Sequence, residues 1–231
     1  MTGAPQGSAA WLAARRGRVT ASRLGDLMAA GRDGKPAASR RAYLLDLVVE
    51  RLTGAAVERY VSAAMQHGID HEGEARTAYE WMTDLAVEPV GFVPHPAIPA
   101  FGASPDGLVG EDGLIEIKCP TTATHLGTLL GEPIDRRYVL QMHGQMACTG
   151  RAWCDFVSFD PRLPSPYDVR ILRVVRDEAL VAEIEAAVRA FADEMEATLA
   201  RLAQACGVGP EAPMPPLPGG IAEAAAFLGA G

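Results

Sequence analysis

Apolar residues recur along this chain at two different periods, and the switches between them outline its elements. Near the N-terminus, Trp11-Leu-Ala-Ala-Arg-Arg16 reads as a short helix, Gly17 breaks it, and the hydroxyls of Thr20 and Ser22 suit the start of a second helix. A loop-like stretch with Gly31, Gly34 and Pro36 follows. Helical spacing then covers residues 40–52, closed by Gly54, and again about residues 61–82. From Val87 the texture changes to short apolar runs punctuated by Gly and Pro, at residues 87–93, 101–109 and 113–118, which predict three successive strands. Helical spacing returns over residues 136–149, and β-rich runs at 153–159 and 168–175 flank a proline loop. Helices, a three-strand meander, a helix and further strands together predict an α/β (α+β) fold with a mixed central β-sheet flanked by helices.

The last helix has the cleanest period. Leu180, Ile184, Val188, Phe191, Met195, Leu199 and Leu202 follow at three- and four-residue steps on an otherwise acidic helix, a stripe that packs on the domain's own sheet or on another subunit. Beyond Cys206 the run from Gly207 to Gly220 is rich in Gly and Pro and reads as a linker before a short Ala-rich tail. The expected division is a single domain over residues 1–206 with a linker and tail at 207–231.

Length and charge narrow the classes. A chain of 231 residues, 48% hydrophobic, buries one substantial core and is short for two enzyme domains. A net charge of −8 argues against a protein that coats nucleic acid with an overall basic surface, yet it allows a nucleic-acid enzyme whose basic residues gather in one channel. Arg40, Arg41, Arg136, Arg137 and Arg151 are candidates for such a lining. Cys119, Cys148, Cys154 and Cys206 form no CxxC pair and no zinc or iron–sulfur spacing, so buried or semi-buried free thiols in a reducing, cytoplasmic setting are expected. No secretory signal is recognisable, and no run of about 20 apolar residues would serve as a membrane span.

The chemistry concentrates in Gly113-Leu-Ile-Glu-Ile-Lys118. On a strand, Glu116 and Lys118 share one face while Ile115 and Ile117 take the other. Two opposite charges on an apolar strand are either an ion pair at a wet edge or a buried group whose charges need partners. Upstream, Ser104-Pro-Asp106-Gly forms a turn, and a hairpin would carry Asp106 beside Glu116. Two carboxylates at adjacent strand ends repel unless a cation or a proton lies between them, and hard oxygen donors suit Mg²⁺ or Mn²⁺. On a helical wheel Glu72 shares its face with Met65, Gly68, Ile69, Ala75, Arg76 and Tyr79, an inward and largely apolar face. There it is either neutralised by Arg76 or turned towards the strand carboxylates.

Taken with their neighbours, these residues resemble the PD-(D/E)xK nucleases, and within them the lambda-exonuclease-like group that includes the YqaJ-type viral recombinases. The resemblance is carried by five collinear blocks between about residues 11 and 177: Trp11, Arg15 and Gly17-x-Val-Thr-Ala-Ser22; His67-Gly with Glu72-x-x-Ala-Arg76; Ser104-Pro-Asp-Gly107; Leu114-Ile-Glu-Ile-Lys-Cys-Pro120; and Tyr138-x-x-Gln141 with Gln145. It implies that Asp106, Glu116 and the Ile117 carbonyl hold a metal, with Glu72 acting directly or through water. It implies that Lys118 orients or helps deprotonate the attacking water and that Gln141 steadies the lysine or the water. Arg15, Ser22 and Ser104 would form a pocket for a terminal 5′-phosphate. The implied activity is a Mg²⁺-dependent 5′→3′ exonuclease on linear double-stranded DNA, with an endonuclease or repair nuclease on the same core as the alternative and a non-catalytic DNA-end-binding module behind it. A homo-oligomer, a ring trimer by resemblance, and a single-strand annealing protein are the implied partners.

Overall fold

The computed structural model describes residues 3–31, 37–57 and 62–208; the expected loop positions Gly34 and Pro36, the helix start at Val61 and the tail from residue 209 lie outside them. The chain opens with α1 (Ala9–Arg15), whose N-terminus is capped by the Ser8 hydroxyl accepting from the Trp11 amide. Val19–Thr20 is a strand, β1, and not a helix start as expected; a 3₁₀ turn at Ala21–Arg23 then leads into the short α2 (Leu24–Leu27). α3 (Ala38–Thr53) ends at Gly54, which sits at φ 65° in the left-handed region that only glycine enters without steric cost. α4 spans Ala63–Thr83.

The expected meander is corrected by the structure. The run 87–93 splits into β2 (Val87–Glu88) and β3 (Val93–Pro94), and the run 101–109 splits into β4 (Phe101–Ala103) and β5 (Gly107–Val109). The halves part company. β1, β4 and β3 form a small sheet in that order, whereas β2 and β5 join β6 (Gly113–Lys118), β7 (Trp153–Phe159) and β8 (Val169–Val175) in a five-stranded sheet ordered β2-β5-β6-β7-β8. Pro105 and Asp106 lie where the chain crosses from one sheet to the other, a break that alternation of side chains does not signal.

Between β6 and β7 come α5 (Thr122–Leu129) and α6 (Arg136–Thr149), and β6 pairs with β7 in parallel as such a crossover requires. The pattern of apolar positions missed α5: Thr-Ala-Thr-His-Leu-Gly-Thr-Leu is poor in helix formers, and Thr121 caps it through the Thr124 amide. β7 and β8 are antiparallel, which completes the expected mixed sheet.

Helices cover both faces of the five-stranded sheet. Ile115 and Ile117 of β6 pack with Ala75 and Tyr79 of α4, while Leu114 packs with Met142 and Met146 of α6. The third core joins α7 (Glu178–Ala205) to α3 and the small sheet through Tyr43, Leu47, Phe101, Ile184, Phe191 and Met195. The apolar stripe of α7 is therefore satisfied within the chain, with Val181 added to it and Leu202 left 39% exposed.

Candidate active site

β5 and β6 form a hairpin in which Gly107 stands opposite Ile115, so Asp106, one residue earlier, comes level with Glu116. The hairpin turn is at residues 110–112; Ser104-Pro-Asp106 leads into β5 where a turn ending a strand was expected. Glycine is required at 107 because a Cβ there would collide with Val87 Cγ1 on β2.

Pleating puts Glu116 and Lys118 on the α6 side of the sheet, as the strand period predicts. Glu116 is completely buried (0% exposed), which selects the costlier of the two readings of this pair, and its partners account for the burial. Oε1 accepts from the Lys118 ammonium and from Gln141 Nε2 at 2.6 Å; Oε2 accepts from Gln145 Nε2 at 2.5 Å. Gln141 and Gln145 are four residues apart and so lie on one face of α6. Asp106 Oδ2 accepts from the Ile117 amide at 2.6 Å, which ties the two strand ends together.

Glu72 pairs with Arg76 at 2.9 Å, and the same guanidinium nitrogen donates to the Asp106 carbonyl at 2.9 Å. Both readings of Glu72 thus hold in part: it is neutralised on its own helix, and it faces the carboxylates. The wheel had its face inward throughout, but only Ala75 and Tyr79 are buried. Met65 and Ile69 are 55% and 63% exposed, because the first half of α4 overhangs an open cleft of about 540 Å³. Glu72, Asp106, Ile117, Lys118, Arg137 and Tyr138 line that cleft, and the Lys118 nitrogen lies 5.2 Å from the centre of the Tyr138 ring.

Electrostatics mark the pair of strand carboxylates as short of positive charge. Burial first, and then the Glu116 charge, push the Asp106 carboxyl well above the ordinary carboxylate range, and Lys118 only partly offsets this. Burial alone would lower the Lys118 ammonium, but the charges of Glu116 and Asp106 outweigh it and raise its pKa. Among the described residues no group of three or more His, Cys, Asp or Glu side chains converges as metal ligands. Two carboxylates, with the Ile117 carbonyl and Glu72 as the further oxygens expected, would make a sparse, all-oxygen donor set. It fits a hard cation that keeps part of its water shell.

A second cavity, of about 420 Å³, lies beside the first, with Met65 on the wall of both. It is lined by Arg15, Arg16, Arg18, Ser22, Arg23 and Tyr43. Arg15 Nη1 donates to Ser104 Oγ at 3.0 Å, Trp11 Nε1 donates to the same oxygen at 2.9 Å, and the Arg15 guanidinium lies 4.3 Å over the Trp11 ring. Ser22 Oγ is 3.4 Å from Thr20 Oγ1. The three residues expected in a phosphate pocket are therefore grouped, with Trp11 and three more arginines that the sequence reading had not placed there.

Of the five arginines proposed to line a channel, Arg137 reaches the cleft and Arg136 is exposed at the start of α6. Arg40 pairs with Glu194, Arg41 lies in a groove between α3 and α7, and Arg151 is occupied by the Val109, Gly110 and Gly113 carbonyls. Cys148 and Cys154 are buried and Cys119 half-buried, while Cys206 is exposed against expectation.

A mixed sheet that carries an acidic pair and a lysine on adjoining strand ends, with a helical glutamine behind them, defines a nuclease of the PD-(D/E)xK type. Comparison places it more narrowly. Residues 10–152 match the family described as the YqaJ-like viral recombinase domain. The fold is similar to the crystal structure of an alkaline exonuclease from Laribacter hongkongensis, at 49% identity over 85% of this chain and 97% of that one, with a TM-score of 0.79. The same exonuclease in complex with dAMP matches equally well. A phage-related exonuclease from Haemophilus somnus shares the fold at 16% identity, covering 80% of this chain and 96% of that one, with a TM-score of 0.61. Comparison with curated proteins gives no match. The chain belongs to the YqaJ-like viral recombinase family.

Proposed function

We propose that this nuclease is a Mg²⁺-dependent DNA exonuclease that degrades one strand of linear duplex in the 5′→3′ direction from a phosphorylated end. The observation that carries the reading is that Asp106 and Lys118 line a cleft, with Glu116 buried behind them and bonded to Lys118, beside an arginine-lined cavity that shares Met65 with it. Asp106, Glu116 and the Ile117 carbonyl would hold the cation, with Glu72 joining through water, and Mn²⁺ is a plausible substitute. When bound, the cation lowers the pKa of the attacking water and neutralises charge on the phosphate.

The chain's own residues supply the rest. Lys118, now held on Glu116 Oε1, lies within the cleft where a nucleophilic water would approach, and its ammonium stabilises negative charge developing on the phosphate oxygens. Gln141 holds the shared Glu116 oxygen and so keeps the lysine on station. Arg15, with the Ser104 and Ser22 hydroxyls, offers charge-assisted bonds to a terminal 5′-phosphate, and Arg15 is already oriented by Trp11 and Ser104. A related exonuclease crystallised with dAMP, and the product here would likewise be a 5′-deoxynucleoside monophosphate. The chain would act in the cytoplasm as one domain over residues 1–206 with a C-terminal extension, in a ring of copies that leaves single strand for an annealing protein, as the resemblance implies.

The test is incubation with 5′-phosphorylated linear duplex and Mg²⁺. Release of mononucleotides that depends on the cation, stops in EDTA and is faster than from 5′-hydroxyl ends supports the reading. Cleavage of closed circular DNA would replace it with an endonuclease.

A further inference from the structure

The buried end of Glu116 is gripped from α6 by two amides, and only one of them had an expected role. Gln141 donates to Oε1 and Gln145 to Oε2, so the two glutamines, four residues apart on the helix, engage opposite oxygens of one carboxylate. Rotation of that carboxylate about its Cγ–Cδ bond would break both contacts. The two halves of this grip are not equivalent. Oε1 has a second donor in Lys118, whereas among the described residues Gln145 is the donor found on Oε2. Gln145 is itself held: it is 1% exposed, it lies on α6 against β7, and its Oε1 faces Cys154 Sγ at 4.0 Å. That sulfhydryl favours the amide orientation in which NH₂ points at the carboxylate; the reverse would set a carbonyl oxygen against a negative charge.

We infer that Gln145 is a positioning residue that fixes the Glu116 carboxylate for the divalent cation, and that it controls cation affinity more strongly than Gln141 does. This rests on the metal-dependent reading given above. Outer partners of a metal-binding carboxylate orient its lone pairs before the ion arrives, and their loss typically costs about 10-fold to 100-fold in metal affinity. With Gln145 removed, Oε2 loses its donor and the carboxylate is restrained through Oε1 alone, by Lys118 and Gln141. With Gln141 removed, both oxygens keep a donor.

The experiment compares Gln145→Met, which keeps the volume and loses the donor, with Gln145→His, which offers a ring N–H at similar reach, and with Gln141→Met. Mg²⁺ and Mn²⁺ are titrated against two readouts: the rise in melting temperature of the metal-free protein, and the rate on linear duplex. The expected result for Gln145→Met is a midpoint moved to about 10-fold higher metal or more in both readouts. The rate should recover at saturating metal, KM for DNA should be unchanged, Gln145→His should lie near wild type, and Gln141→Met should shift less. If the methionine variant does not fold, Gln145→Asn, which withdraws the amide by one methylene, takes its place with the same expectation. Wild-type midpoints in Gln145→Met, or a lower melting temperature with an unchanged metal midpoint, overturn the inference. A wild-type enzyme indifferent to EDTA overturns the metal reading itself, so the two failures are told apart.

Discussion

Lys118 and Glu116 illustrate how the meaning of a two-residue spacing depends on whether the carboxylate is desolvated. On a wet edge such a pair contributes about 0–1 kcal/mol, but here Glu116 is shielded and each of its oxygens is met by a donor. Removing one partner of a buried pair is far costlier than forming the pair is favourable. Lys118→Met is therefore expected to lower the hydrolysis rate by about 100-fold to 1,000-fold while leaving duplex affinity in EDTA largely intact, which single-turnover rates and fluorescence anisotropy would check. An unchanged rate would remove the lysine from the mechanism. Arg15→Ala tests the other cavity. It should remove about 1.5–3 kcal/mol of preference for phosphorylated over hydroxyl 5′ ends, roughly 10-fold to 100-fold in relative rate, with little effect on ends that carry no phosphate. Equal losses on both ends would make Arg15 a structural residue.

The elements that place these side chains differ in how they are stabilised. α7 is secured by burial of its stripe, so Ile184→Ala, which empties a fully buried position, should cost about 2–5 kcal/mol in urea unfolding. Its N-terminus adds a smaller share: Asp177 accepts from the Ala179 and Leu180 amides, and Asp177→Ala should cost about 1 kcal/mol. The end of β7 is held by an ionic contact instead. Burial alone would raise the Asp160 carboxyl, but the hydrogen bonds to Oδ1, in which the Arg162 amide and Nε donate, count most among the opposing effects that bring it down to about 2. Because the folded value is depressed, this contact contributes fully above the unfolded carboxylate pKa of about 4, and its contribution is lost as pH falls towards 2. The stability gap between wild type and Asp160→Asn should accordingly be present at pH 7 and close on acidification; a gap independent of pH would contradict the assignment.

At the scale of the whole molecule, a net charge of −8 is reconciled with a polyanionic substrate by concentration. Arg15, Arg16, Arg18 and Arg23 gather around one cavity, and Arg137 stands at the neighbouring cleft. Binding to duplex in EDTA should weaken steeply as salt rises, and Arg137→Ala should reduce the slope of log affinity against log salt by about 0.9 for the one phosphate it would contact. An unchanged slope would place Arg137 off the DNA path.

Local pattern alone determined a good deal. The period of 3.6 found α3, α4, α6 and α7, the period of 2 put Glu116 and Lys118 on one face of β6, and the collinear blocks pointed to the family, because these signals depend on residues close in sequence. Other features were decided by tertiary structure. The crossing between sheets at Asp106, the overhang that exposes Met65 and Ile69, and the meeting of Gln145 with Glu116 across α6 and β6 all depend on which surfaces are covered by distant segments. The acidic pair and lysine were legible as charges at a spacing. Whether they were a solvated ion pair or a buried pair met by partners was settled by the complete burial of Glu116, since burial is a property of the assembled molecule and not of any strand within it.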